Sequence, residues 1–199
     1  MSYERSGACR TLAITWMLLG AVVLPAAAQS WRVSGGHVTV VCPLTVGGRF
    51  EARTAAVTGD VTVKEGTNEI GGAFSVDLRT LDTGIGLRNT HLRDNYLEVS
   101  RGPTYDTAVL TAVVLDAPAP SRGRAATLGF KAVLSLHGNE KPIAGTAAVS
   151  NKGDTLDVKV KFPLRIDGYE IARPTYLGVG VTNQIDVEVR ATLKPAPTP

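Results

Sequence analysis

Between residues 29 and 193 the recurring pattern is alternation of apolar and polar side chains, which puts one face of an extended chain in a core and the other in water. Phe74, Val76 and Leu78 alternate with Ser75, Asp77 and Arg79. Leu156, Val158, Val160 and Phe162 alternate with Thr155, Asp157, Lys159 and Lys161. Val181, Ile185, Val187 and Val189 alternate with Thr182, Gln184, Asp186, Glu188 and Arg190, broken on the inner face only by Asn183. Weaker alternation runs through residues 37–44, 57–64, 105–115, 125–136 and 143–149, which brings the tally to about eight strands.

Turn chemistry separates these runs: residues 64–68, the Ala117 to Gly123 loop, and Asn151-Lys152-Gly153-Asp154. One segment changes period. Leu92, Tyr96 and Val99 recur at helical spacing, with Asn89 or Thr90 as N-cap and Gly102-Pro103 as terminator, so a short helix is predicted over residues 89–99. Many strands joined by short turns, without long amphipathic helices between them, exclude a parallel α/β sheet. A sandwich or an antiparallel barrel remains, in one domain.

The two ends read differently. Arg5 and Arg10, the apolar run from Thr11 to Pro25, and Ala26-Ala27-Ala28 form the three parts of an export signal, giving residues 1–28 as a leader. As a helix that run would reach only about 22 Å, short of a hydrocarbon core of about 30 Å, so no stable membrane anchor is expected after cleavage. A periplasmic location follows, or alternatively secretion. Residues 194–199 are proline-rich and lack an apolar face, and read as an unstructured tail.

Charge adds little. The formal net charge of +3 falls by one when the leader, with Glu4, Arg5 and Arg10, is removed, and Lys and Arg alternate with Asp and Glu instead of clustering; nothing points to nucleic acid. Cys9 leaves with the leader, so Cys42 has no intramolecular disulfide partner. His37 and Cys42, five residues apart, would point to opposite faces of a straight strand, and no other spacing suits a metal or a cofactor. A hydrolase would need a nucleophile beside an oriented base. The one arrangement to weigh is His91 with Asp82, Asp94 or Glu98, set against the plainer reading that these groups satisfy backbone at a helix start.

Function then rests on the inward face. Phe74, Val76, Leu78, Leu128, Phe130, Leu134, Val158, Val160, Phe162, Ile185, Val187 and Val189 form an uncharged lining suited to an apolar ligand, with Leu92, Tyr96 and Val99 as a lid at the mouth. Alternation alone fits an open barrel and one filled by its own side chains, the latter serving as a structural or interaction module.

Three stretches carry a family resemblance. Leu81-Asp82-Thr83-Gly84, Arg88, His91-Leu92-Arg93, Tyr96-Leu97-Glu98-Val99 and Pro103 make the first; Leu136-His137-Gly138 through Lys141-Pro142-Ile143 the second; Tyr169-Glu170-Ile171 through Pro174 the third. In order and spacing they resemble the YceI-like family. Asn89 stands where an acidic residue is common, Glu140 where threonine is common, and Asp167-Gly168-Tyr169 replaces an Asp-Phe-Gly turn. The resemblance implies an all-β, eight-stranded antiparallel lipocalin-like barrel with one short helix, exported to the periplasm and without catalytic residues. It implies a polyisoprenoid or similar long apolar ligand in the core: an isoprenoid quinone, an isoprenoid alcohol or a fatty acid, held for transport, storage or sensing. A homodimer stays open.

Overall fold

A computed structural model describes residues 28–64, 66–176 and 178–196, so the leader lies outside the described residues apart from Ala28. The strands are β1 (Ala28–Pro43), β2 (Arg49–Thr54), β3 (Val57–Lys64), β4 (Glu69–Asp77), β5 (Thr107–Leu115), β6 (Arg124–Leu136), β7 (Asn139–Asn151), β8 (Leu156–Arg165), β9 (Thr175–Tyr176), β10 (Val179–Gly180) and β11 (Gln184–Pro195). Each of β3 to β8 pairs antiparallel with its sequence neighbour, β8 pairs with β11, and β11 returns to β1. With β1 also paired to β3, eight strands close on themselves, which removes the free sheet edges that an open sheet would expose.

Strand β1 is longer than its alternation suggested. Trp31 and Val33 extend its inner face ahead of residue 37, where the Ser34-Gly35-Gly36 run hides the period. A bulge against β11 between Val33 and Gly35 bends the strand. Gly36 sits in that bend because a Cβ there would lie 2.7 Å from the Arg190 carbonyl oxygen. Past the bend, β1 leaves β3 and pairs with β2, a strand that the alternation did not reveal. Between them, Thr54 Oγ1 accepts the Ala56 amide at 3.0 Å and stops the ladder.

The C-terminus corrects a second expectation. Lys194 and Pro195 continue β11 opposite Arg32 and Trp31, and the Ala196 amide donates to the Ser30 carbonyl at 2.9 Å, so the tail read from residue 194 begins no earlier than 197.

The barrel has two unlike ends. At one, Trp31, Val61, Leu156 and Leu193 form a compact plug, with Trp31 and Leu193 each 2% exposed. At the other lie the β1–β2 hairpin, residues 166–183, and a helical segment between β4 and β5. The predicted helix over 89–99 is broken into pieces: α1 (Gly86–His91), a π turn over Leu92–Tyr96, a 3₁₀ turn over Val99–Arg101 and α2 (Pro103–Asp106). The Leu97 amide donates to Leu92 O at 2.9 Å, and this i→i+5 bond rotates the apolar stripe. Leu97 becomes the buried anchor at 7% exposure, while Leu92, Tyr96 and Val99 are only partly buried against the core.

Candidate functional site

The inward faces enclose a cavity of about 210 Å³, and every residue lining it is apolar. Phe74, Val76, Leu78, Phe130, Leu134, Val158, Val160, Phe162, Val187 and Val189 line it as their alternation predicts. Leu128 and Ile185 do not: Ile185 is buried in the surrounding core and Leu128 packs against that core from a partly buried position. Leu78 reaches the cavity from a 3₁₀ turn after β4, not from the strand itself. Sequence reasoning missed Val38 and Val40 of β1, Val57 and Val61 of β3, and Leu110 and Leu115 of β5. Their signal was available in the weaker alternating runs.

Leu92, Tyr96 and Val99, predicted as a lid, do not touch the cavity. They pack against the core cluster to which Leu78 and Leu81, both lining the cavity, belong. Phe130 and Phe162 meet edge to face, with ring centroids 6.2 Å apart and planes at 85°, the arrangement their quadrupoles favour. No lining group offers a hydrogen bond from its side chain, so a guest would be recognised by shape and apolar area.

Outside the wall the polar face is held by ion pairs. Glu188 meets Lys159 at 3.3 Å, Lys161 at 3.2 Å and Arg190 at 2.7 Å. Hydrogen bonding, first from Arg190 and then from Lys161 and Lys159, pulls its carboxyl down to about 2. Lys159, Lys161 and Asp157 therefore point away from the cavity that Val158 and Val160 line.

The polar chemistry of the helical end gathers on His137, not on His91. His137 is 6% exposed in the β6–β7 turn. Its Nδ1 lies 2.9 Å from the Tyr169 carbonyl oxygen and its Nε2 lies 3.1 Å from Glu98 Oε2. Both partners are acceptors, so the nitrogen that carries the proton donates. Tyr105 stacks edgewise on the imidazole at 4.7 Å, and Arg101 lies over the Tyr105 ring while bonding Glu98 at 2.8 Å. The Arg101 hydrogen bond is the main reason the Glu98 carboxyl sits below its ordinary range. This cluster ties three segments together: the helical segment, the β6–β7 hairpin and residues 166–171. Through these contacts the His137 ring bridges the loop that carries Tyr169 and the helical segment that carries Glu98.

His91 is exposed, and its supposed partners are occupied elsewhere: Asp82 accepts from Asn89 Nδ2 at 2.6 Å and from the Gly84 amide at 2.9 Å, and Glu98 faces His137. Cys42 is buried, which pushes its thiol up to about 12 against the opposing charge of Arg88. Among the described residues no three His, Cys, Asp or Glu side chains come together as a metal site.

Comparison with known proteins agrees with this geometry. The chain superposes on a polyisoprenoid binding domain from Saccharophagus degradans implicated in plant cell wall breakdown, with a TM-score of 0.66 and 15% identity over 84% of this chain and 99% of that one. It superposes on BcnA of Burkholderia cenocepacia with a TM-score of 0.59 and 15% identity, over 79% and 95% of the two chains. A Campylobacter jejuni YCEI protein gives a TM-score of 0.53 at 12% identity, over 71% and 82%. At these identities the likeness concerns the fold. No curated protein sequence matches the chain. The model of the YceI-like domain matches residues 24–193, nearly the whole barrel and both of its closing strands, and the chain therefore belongs to the YceI-like family.

Proposed function

We infer that this protein carries one slender apolar lipid inside its barrel, and that it does so after export. The observation that carries this reading is an interior cavity lined by apolar side chains alone. The ligand class of the Saccharophagus degradans domain, a polyisoprenoid, names the first candidates: isoprenoid alcohols and quinones, with fatty acids as slim alternatives. Apolar area supplies the attraction, since a lining without polar groups gives nothing to a charged guest.

The volume sharpens the proposal. An apolar cavity of about 150 Å³ admits a benzene ring, so about 210 Å³ offers room for about eight carbons, near two isoprene units. A longer chain needs the wall to widen. The β4–β5 ladder skips from Ile70–Val113 to Phe74–Leu110, and the β5–β6 ladder skips between Thr111 and Val114, where Ala112 takes a left-handed φ of 50°. These interruptions leave that part of the wall with fewer cross-strand bonds than unbroken ladders would have. The same small volume favours a second reading, in which the interior is essentially filled and the barrel is a structural module of the envelope.

Native mass spectrometry of the mature protein, followed by organic extraction, separates the two. A retained isoprenoid or saturable binding of one in calorimetry supports the carrier. Absence of saturable binding to isoprenoid quinones, isoprenoid alcohols and fatty acids by the folded protein leaves the filled barrel. Export is tested by the mature N-terminus: cleavage after Ala28 removes one residue of β1 and leaves Trp31 in its plug.

A further inference from the structure

Among the described residues four large hydrophobic side chains are strongly exposed, and three of them share one end of the barrel. Val46 is 68% exposed at the tip of the β1–β2 hairpin, Ile85 is 49% exposed just before α1, and Leu87 is 69% exposed in its first turn. Val114, at 38%, lies at the other end. Single exposed aliphatics are ordinary, whereas several on adjoining loops form a surface.

The two loops are fastened to each other. Arg53 of β2 and Asp82 exchange backbone hydrogen bonds, each 2.8 Å, and the Arg88 guanidinium of α1 lies 4.4 Å from the centroid of the Phe50 ring. The α1 loop is also stiff. Asn89 Oδ1 accepts from the Thr83 amide at 2.8 Å and from its hydroxyl at 2.7 Å, while Asn89 Nδ2 donates to Asp82. Ile85 and Leu87 are thus held outward by a cross-braced turn, although folding inward would bury them at no covalent cost.

On the two loops that carry these side chains charge leans positive, with Arg49, Arg53, Arg88 and Arg93 against Glu51, Asp82 and Asp94. Glu51 is paired with Arg53, and Asp82 is engaged by Asn89 and the Gly84 amide. Arg49 is exposed, Arg88 lies over an aromatic ring, and among the described residues neither forms a salt bridge; Asp94 is the remaining exposed carboxylate on α1 and the π turn that follows it. Aliphatic side chains on a rigid edge, flanked by arginines, match the acyl-headgroup boundary of an anionic bilayer.

We propose that Val46, Ile85 and Leu87 dock this end of the barrel onto an anionic phospholipid surface, where the ligand is exchanged. This rests on the carrier reading and adds where the lipid enters and leaves. Leu81, which lines the cavity, is four residues from Ile85, so a seated α1 loop would bear directly on the inner wall.

The test is cosedimentation of the mature chain with vesicles of equal parts phosphatidylcholine and phosphatidylglycerol, against phosphatidylcholine alone. Wild type should favour the anionic vesicles and lose them as salt rises. The triple variant Val46→Asp, Ile85→Asp, Leu87→Asp should bind them at least about tenfold more weakly, whereas Val114→Asp should bind like wild type. Because all four side chains are exposed, unfolding midpoints should stay unchanged. Transfer of a fluorescent isoprenoid alcohol from vesicles should slow in the triple variant, while its affinity in vesicle-free buffer stays at the wild-type value. Equal vesicle binding by the triple variant overturns the proposal, as does a concentration-dependent dimer that the same three substitutions dissolve. Loss of ligand binding by wild type in vesicle-free buffer would instead strike the carrier reading.

Discussion

Replacing Val187 by Phe tests the cavity most directly. Val187 is 8% exposed, lies opposite Phe162 in the β11–β8 ladder and opposite Val40 in the β1–β11 ladder, and lines the cavity. The substitution adds about four carbons to a space that holds about eight, removing close to half of the room a guest can use. At about 0.8 kcal/mol per methylene withdrawn from water, a ligand that filled the wild-type cavity loses about 3 kcal/mol, or about two-hundred-fold in Kd. Stability moves less. Overpacking costs about 1–3 kcal/mol, and filling existing space offsets part of it, so a domain stable by about 5–15 kcal/mol stays folded. Displacement of a fluorescent isoprenoid alcohol, read beside urea denaturation, gives both quantities. Across a series of alcohols the loss should be greatest for those that fill the wild-type space. If folded Val187→Phe binds the whole series with wild-type affinity, the ligand does not occupy this cavity.

Three further outcomes follow from named contacts. Glu188→Gln should weaken the fold at neutral pH and not in strong acid: in the unfolded chain this carboxyl titrates near 4.5, so its contribution is complete above that value and is lost as the pH falls through about 2; a difference in denaturation midpoint that persists at pH 2 would contradict the assignment. Cys42 should resist an aromatic disulfide reagent at neutral pH in the folded protein and react at once in urea, and stoichiometric labelling of the folded chain within minutes would show that the thiol is not buried. Gly145→Ala should cost about 1–3 kcal/mol or more in urea unfolding, because the new methyl would lie 2.2 Å from the Lys161 carbonyl oxygen and 2.8 Å from Phe162 Cβ; an unchanged midpoint would mean that β7 and β8 are not packed this closely.

The barrel was legible where the alternation was strong. β8 and β11 present Val158, Val160, Phe162, Val187 and Val189 inward against charged outer neighbours, and the structure puts all five on the cavity. β2 was not legible, since Arg49-Phe50-Glu51-Ala52-Arg53-Thr54 offers one large apolar side chain and serves only to extend an edge of β1 beyond β3. The apolar stripe of the helical segment shifted for a geometric reason. A period of 3.6 selects Leu92, Tyr96 and Val99, but the π turn inserts a residue and hands the buried position to Leu97. His137 was seen only as part of a motif, because its partners Glu98 and Tyr169 are 39 and 32 residues away and meet it only once the barrel closes.

That closure has a kinetic side. The seam between β1 and β11 joins Trp31 to Pro195 and Val41 to Asp186, so the first strand to leave the ribosome waits for the last before one of its edges is covered. Pairing of residues so far apart carries a large loop-closure entropy and makes such topologies slow to fold. Until β11 arrives, β1 and β8 both present bare edges that a second chain can capture. A chain cut before residue 184 would therefore lose more than one strand: it would remain permanently in the state that the intact chain only passes through, with two sticky margins and an apolar interior open to water.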